Sequence, residues 1–241
     1  MSRERAHTYV DAGNARAATP WSARCWSAFL GNTVSLVDRV TGREWLARPS
    51  AEVGLAVDGE PLSLMDFRGG DWAEECNPHG ASLVCRLTAD AVTLFTRCTA
   101  MHESPGLLRE TGLMNRAPRP LTVSEVVLDT LPLDLPSGRR DLFRRVSDAA
   151  VAAGDDAGAL LLGHGAGVAV TVEADEDTAA VVTLRCRDES ELAPGQLLRL
   201  PDTWAMPFTG SFETASGREY AAFLRGVRDL RAWREETGAA G

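Results

Sequence analysis

Short segments of alternating apolar and polar residues recur along most of the chain, and they predict β-strands. In residues 81–89, Leu83, Cys85 and Leu87 are two positions apart and therefore share one face of a strand. Residues 91–100 repeat the alternation after a single polar turn residue. The two segments together predict an antiparallel hairpin with one buried face.

Turn residues separate the other predicted strands. Asp58-Gly59, between two apolar runs, is the pattern of a two-residue hairpin loop, and Thr41-Gly42 indicates a turn before a second strand. Such signals continue through residues 8–212 and predict two stacked, mainly antiparallel sheets. Within that range only residues 137–155 depart from the pattern, and they predict a loop or a short helix.

The end of the chain has a different period. From residue 217 onward apolar residues recur at helical spacing, namely Tyr220, Phe223, Leu224, Val227 and Leu230. A helix over 217–236 is predicted to dock on the sandwich or on a partner subunit, because a short isolated helix is marginal in water. The alternative is that the helix is a linker to a further domain, cut off from it here, in which case its apolar residues would stay partly exposed. We accordingly divide the chain into a sandwich domain, 1–216, and a linker-like helix and tail, 217–241.

Composition narrows the possible functions. With 44% hydrophobic and 24% charged residues the chain is typical of a globular protein. Its net charge of −9 argues against nucleic acid as a partner. No apolar run reaches the roughly 20 residues of a membrane span, and the first residues lack a secretory signal, so we expect a cytoplasmic protein without a membrane partner.

Cysteine and histidine positions do not form a recognisable metal or disulfide pattern. The five cysteines are an odd number without regular spacing, which favours reduced thiols. Cys76 and His79 have half the spacing of a zinc site, but no second pair lies at a matching distance. We therefore expect no metal and no cofactor.

Four longer segments carry a family resemblance: residues 32–46, 56–67, 104–133 and 191–212. Their turn glycines, strand-end asparagine and apolar alternation resemble the N-terminal β-supersandwich domain of family-36-type α-galactosidases and related glycoside hydrolases, a galactose-mutarotase-like sandwich. The resemblance implies an all-β fold, an antiparallel β-supersandwich followed here by the C-terminal α-helix.

The same resemblance implies a role without catalysis. In that family the catalytic aspartates lie on a following (β/α)8 barrel, which alone needs about 250 residues. No catalytic residue can therefore be carried over, and we expect a carbohydrate-associated accessory module, stand-alone or truncated. Its partners would be a carbohydrate, a second copy of the chain or a separate catalytic subunit.

Residue types suited to sugar binding occur mainly in one stretch of the chain, residues 66–72. A saccharide site needs a flat aromatic face for the C–H side of the ring and planar polar groups for its hydroxyls. Candidate residues of these types are Asp66, Arg68, Asp71, Trp72 and Trp204. Packing of Trp72 between a loop and a sheet, and of Trp204 in the core, are the competing interpretations.

Two other functions remain open on the same fold. Aldose epimerases use a histidine pair and a glutamate for proton transfer at the sugar ring, but none of the four histidines here lies in an epimerase-like Asn-His motif. Those histidines are His7, His79, His102 and His164. The remaining alternative is a structural or oligomerisation module.

Overall fold

The structure is a computed structural model that describes residues 5–50, 53–135, 142–155, 157–174, 180–210 and 212–238. The first strands are β1 (His7–Val10), β2 (Asn14–Ala18), β3 (Ser22–Ser27), β4 (Thr33–Asp38), β5 (Gly54–Val57) and β6 (Glu60–Ser63). A 3-10 turn (Leu64–Asp66) leads to β7 (Arg68–Asn77), β8 (Gly80–Thr88), β9 (Val92–Met101), β10 (Leu107–Asn115) and β11 (Leu121–Leu133). The later strands are β12 (Phe143–Ser147), β13 (Ala150–Gly154), β14 (Gly158–His164), β15 (Val168–Ala174), β16 (Ala180–Cys186), β17 (Ser190–Leu192), β18 (Leu197–Arg199) and β19 (Thr203–Thr209). The chain continues into helix α1 (Phe212–Thr237).

The described strands form three antiparallel sheets. A four-stranded sheet has the order β1-β2-β3-β4, and a six-stranded sheet has the order β15-β16-β11-β5-β6 with β17 beside β11. The largest sheet has nine strands in the order β12-β13-β14-β19-β10-β9-β8-β7, with β18 beside β10. The predicted all-β supersandwich with a C-terminal helix is confirmed, although the expected pair of sheets is a set of three.

Both smaller sheets pack on the same face of the nine-stranded sheet. Leu83 of β8 contacts the core cluster that includes Trp26 of the four-stranded sheet. Cys85 and Leu87, further along the same face of β8, belong to the cluster that includes Val123 of the six-stranded sheet. The alternation read from the sequence thus identified the buried face correctly, but one strand serves two cores.

The loop at Asp58-Gly59 is the predicted two-residue hairpin. Asp58 and Gly59 have φ angles of 52° and 84°, both left-handed, and Val57 pairs with Glu60 across the turn. Two successive left-handed residues are characteristic of the type I′ turn, whose twist matches that of the flanking strands. This local prediction is confirmed.

The strand predicted after Thr41-Gly42 is wrong. The segment makes isolated bridges, at Glu44 and at Leu46, instead of a ladder. A side chain adds to the few backbone hydrogen bonds of the segment, since the Glu44 carboxylate accepts the backbone N–H groups of Leu36 and Leu46 at 2.8 and 3.0 Å. Sequence periodicity does not reveal such a contact.

The loop or short helix predicted over 137–155 is also wrong for the part that the structure describes. Residues 136–141 lie outside the described residues, but β12 and β13 form a hairpin within the rest. Strand β13 pairs along its whole length with β14, in which every residue is buried. This neighbouring edge turns an Ala-rich segment of weak strand propensity into a strand.

Helix α1 packs on the opposite face of the nine-stranded sheet. Phe223, Val227 and Leu230 are buried in a cluster with Leu108 and Met206 of the sheet. The predicted docking on the sandwich is confirmed, and the helix begins at residue 212, earlier than the predicted 217.

The buried face of α1 excludes one residue of the predicted stripe. Leu224 is 43% exposed, so its inclusion was wrong. The face that meets the sheet continues instead from Leu230 to the buried Arg234, and Trp233 packs at its margin. Leu224, although apolar and adjacent to the buried Phe223, therefore points to solvent.

An ionic cluster lies where the three sheets meet. Arg24 comes from β3, Arg109 from β10 and Asp129 from β11, so each sheet contributes one residue. Two Arg24 nitrogens lie 3.0 Å from the Asp129 carboxylate, and Arg109 Nη1 lies 3.7 Å from it. Arg109 also donates to the Leu128 carbonyl at 2.8 Å. All three side chains are almost fully buried.

Candidate functional site

The four-stranded sheet has a cleft at each end. We call the cleft beside the β1–β2 and β3–β4 turns the edge cleft; it is lined by Asp11, Phe29, Gly69, Gly70, Asp71 and Trp72 and has a volume of about 520 Å³. The cleft at the other end is the helix cleft, between the four-stranded sheet and α1. It is lined by Trp21, Glu103, Phe208, Arg218, Glu219 and Arg225 and has a volume of about 590 Å³.

The floor of the edge cleft is bare backbone. Strand β7 has an irregularity between Arg68 and Asp71, where its register against β8 shifts. Gly69 is left-handed, with φ 77°, and a Cβ on Gly70 would lie 2.4 Å from the Ala28 carbonyl oxygen. Both positions therefore favour glycine, and the missing side chains leave the cleft open.

Aromatic residues form one side of the edge cleft. The Trp72 indole N–H donates to the Ala28 carbonyl at 3.0 Å, and its ring lies 6.2 Å from that of Trp26. This packing holds β7 against the β3–β4 turn. Phe29, at the tip of that turn, is 76% exposed and leaves an aromatic ring open to a ligand.

Two carboxylates also line the edge cleft. Asp71 is exposed on β7. Asp11 accepts the backbone N–H groups of Gly13 and Asn14 at 3.0 and 2.8 Å, and these hydrogen bonds lower the pKa of its carboxyl. Asp11 is consequently an ionised acceptor held in a fixed orientation.

The structure brings together two of the residues predicted for sugar binding, Asp71 and Trp72. Arg68 is exposed on the same strand but does not line the edge cleft. Asp66 ends the 3-10 turn, where it accepts hydrogen bonds from the Ser63 amide and hydroxyl that lower its pKa. Trp204 packs 6.0 Å from Phe223 under α1.

Phe29 and Asp11 were missed by sequence reasoning. For Phe29 the sequence does contain a signal, because a phenylalanine two residues before the turn pair Gly31-Asn32 indicates an aromatic side chain at the tip of a turn. Nothing local indicated Asp11, because its proximity to Asp71 depends on the packing of the four-stranded sheet against β7.

The helix cleft has an apolar floor and a charged rim. Phe208 and Pro207 form part of the floor, and the Trp21 indole at the wall is 38% exposed. The buried Asp38 carboxylate anchors the wall by accepting from the Thr209 hydroxyl at 3.1 Å. Partial burial raises the pKa of Glu219 on the rim, an effect that Arg218 opposes.

Among the described residues, no histidine lines either cleft. His164 is buried, with Nδ1 2.8 Å from the Gly165 carbonyl oxygen, and the His102 amide donates to the His79 carbonyl at 2.9 Å. Within the described ranges no three His, Cys, Asp or Glu side chains are grouped to hold a metal ion. In the same residues no helix is long and apolar enough to cross a membrane.

Comparison with known proteins shows likeness only at the level of structure. No family model matches the chain, and no curated protein sequence does. Among solved structures, a TPR-domain containing protein from Parabacteroides distasonis superposes with a TM-score of 0.60 at 13% identity, over 80% of this chain and 46% of that one. The GH36 α-galactosidase AgaB from Geobacillus stearothermophilus gives 0.59 at 10% identity, over 85% and 41%.

A heparan sulfate lyase, HepC from Pedobacter heparinus, gives a TM-score of 0.54 at 11% identity, over 85% of this chain and 37% of that one. The chain thus spans less than half the length of these three structures. At such low identities the likeness concerns the fold. The resemblance in fold to the N-terminal sandwich of GH36 α-galactosidases, predicted from the sequence, is confirmed.

Proposed function

We propose that the chain is a carbohydrate-binding module that holds a saccharide in the edge cleft without transforming it. The observation that carries the proposal is the edge cleft itself, which places the exposed Phe29 ring beside the carboxylates of Asp11 and Asp71. The fold of carbohydrate-active enzymes among the structural matches supports the same class of ligand.

The arrangement suits a neutral sugar. A ring can lie with its C–H face on Phe29, while the carboxylates accept hydrogen bonds from its hydroxyls. The glycine floor at Gly69 and Gly70 lets the ring approach the backbone closely. Trp72 supports the site from below, since its indole N–H is already used within the protein.

Asp11 of the edge cleft is poorly suited to act as the general acid of glycoside hydrolysis. Such a reaction needs one carboxyl protonated near neutral pH to act as the general acid, which requires a raised pKa. The hydrogen bonds that Asp11 accepts act in the opposite direction and lower its pKa. Asp11 therefore does not supply the proton, and we propose that the chain alone does not turn over aryl glycosides.

Isothermal titration with a panel of neutral mono- and oligosaccharides tests the proposal. Binding of at least one sugar is expected, with about a tenfold or greater loss in Phe29→Ala and in Asp71→Asn. Met65→Ala and Asp148→Asn are matched controls, because Met65 is 73% exposed and the Asp148 carboxylate fully exposed, both outside the edge cleft.

Two results would contradict the proposal: no sugar binding at millimolar concentration, or binding that these two edge-cleft variants leave intact. Self-association measured by sedimentation, in the absence of any sugar binding, would favour the structural module instead.

A further inference from the structure

The arginines of α1 fall into two groups. Those from Arg228 onward are engaged: Arg228 pairs with Asp229, Arg231 with Asp202 and Arg234 with Glu110. Arg218 and Arg225 lie toward the other end and line the helix cleft. Among the described residues, neither guanidinium has a carboxylate within salt-bridge distance, although Arg218 is close enough to Glu219 to influence its pKa.

These two guanidiniums lie on the same side of the helix. They are seven residues apart, which places them two turns and roughly 10 Å apart along the axis. Both border a cleft of about 590 Å³, within the size range of small-molecule sites. Guanidinium groups bind carboxylates through paired, charge-assisted hydrogen bonds.

The rest of the helix cleft suits a ring that carries hydroxyls. The exposed part of the Trp21 indole offers a flat apolar face opposite the arginines. Glu103 and Glu219 on the rim can accept hydrogen bonds from hydroxyl groups, whereas they would repel a ligand with several negative charges. The net charge of −9 likewise disfavours a polyanion.

From this combination we infer that the helix cleft is a second ligand site, selective for a hydroxylated ring that bears a single carboxylate, as in a uronic acid. Arg218 and Arg225 hold the carboxylate, Trp21 stacks on the ring, and the two glutamates accept from its hydroxyls. The ligand bridges α1 and the four-stranded sheet, so binding stabilises the docked helix. The inference does not depend on the edge cleft.

Three small probes separate the parts of this inference. Galacturonate supplies ring and carboxylate, galactose the ring alone, and acetate the carboxylate alone. Calorimetric titration at neutral pH of the Phe29→Ala variant, which lacks the aromatic face of the edge cleft, is expected to show galacturonate binding at least tenfold more tightly than either of the others. Galacturonate is also expected to raise the melting temperature, because a ligand that binds the folded state stabilises it.

Variants then assign the contacts. Arg225→Gln and Arg218→Gln should each weaken galacturonate binding about tenfold or more and remove its advantage over galactose. Trp21→Ala should weaken the binding of galacturonate, whose ring the indole stacks on. It should not raise the affinity for acetate, which has no ring. Arg228→Gln is the matched control, since its side chain is 75% exposed on the same helix and paired with Asp229.

Failure here is distinguishable from failure of the edge cleft. Phe29→Ala should leave galacturonate binding unchanged, because Phe29 lies at the opposite end of the four-stranded sheet. The inference is overturned by absence of galacturonate binding, by equal affinity for galactose or acetate, or by equal losses in Arg228→Gln and Arg225→Gln. Melting temperatures of the free variants check that each one folds.

Discussion

Asp129 is the residue whose loss should affect the sandwich most. Its carboxylate is shared by Arg24, at 3.0 Å, and Arg109, at 3.7 Å, and the side chains of all three are 2–3% exposed. Asp129→Asn removes the negative charge and leaves two buried guanidiniums facing an amide. Breaking a buried pair by removing one partner costs about 3–5 kcal/mol.

The geometry also predicts an order of effects. Arg24→Met should cost less than Asp129→Asn, since the carboxylate keeps Arg109 as a counter-ion and no buried charge is left without a partner of opposite sign. It still removes the hydrogen bond from Arg24 Nε to the Thr33 hydroxyl, at 2.7 Å. Both effects should change little with salt, because buried charges are screened far less than exposed ones.

Urea unfolding followed by tryptophan fluorescence measures both losses. For a chain of this length, about 3–5 kcal/mol corresponds to a decrease in melting temperature of roughly 6–20 °C. Asp148→Asn is the control, since its carboxylate is fully exposed. The reasoning is refuted if Asp129→Asn costs less than about 1 kcal/mol, or if Arg24→Met costs more than Asp129→Asn.

Three further predictions concern the helix and the thiols. Phe223→Ala should lower the free energy of unfolding in urea by about 3–5 kcal/mol. Leu224→Ala, on the exposed side of α1, should change it by no more than about 0.5 kcal/mol. Equal effects of the two variants would contradict the docking of α1 on the sheet. Gly106→Ala should lower the melting temperature, because a Cβ there would lie 2.1 Å from the Phe223 ring, and an unchanged value would contradict that packing. Titration with a thiol reagent should find five free cysteines after denaturation. In the native protein the exposed Cys76 should react well before Cys186, because burial raises the pKa of the Cys186 thiol to about 11 and leaves little reactive thiolate. The reverse order would count against the structure.

Sequence reasoning succeeded where the controlling physics is local. Leu83 and Cys85 lie two positions apart, and their common burial follows from the two-residue period of a strand. The turn at Asp58-Gly59 follows from the steric freedom of its residues. Both are determined within a few residues, so one sequence is enough to predict them.

The candidate site was predictable only in part. Asp71 and Trp72 stood out by residue type, and the structure places both in one cleft. Phe29 is 42 positions from Asp71 in the sequence, and the two meet because the Trp72 indole ties β7 to the β3–β4 turn. The helix cleft likewise combines Trp21 with arginines about 200 positions later.

By itself the sequence determined most strand positions, the buried face of β8, the tight hairpin and the terminal helix, because each depends on backbone sterics and local periodicity. Only the tertiary structure decided which strands pair, that three sheets enclose two cores, and that Leu224 faces solvent. It also decided that the segment around Glu44 makes isolated bridges, which the Glu44 carboxylate supplements. These outcomes depend on which distant segments exclude water together, and burial of apolar surface is non-directional, so no local pattern encodes its partners.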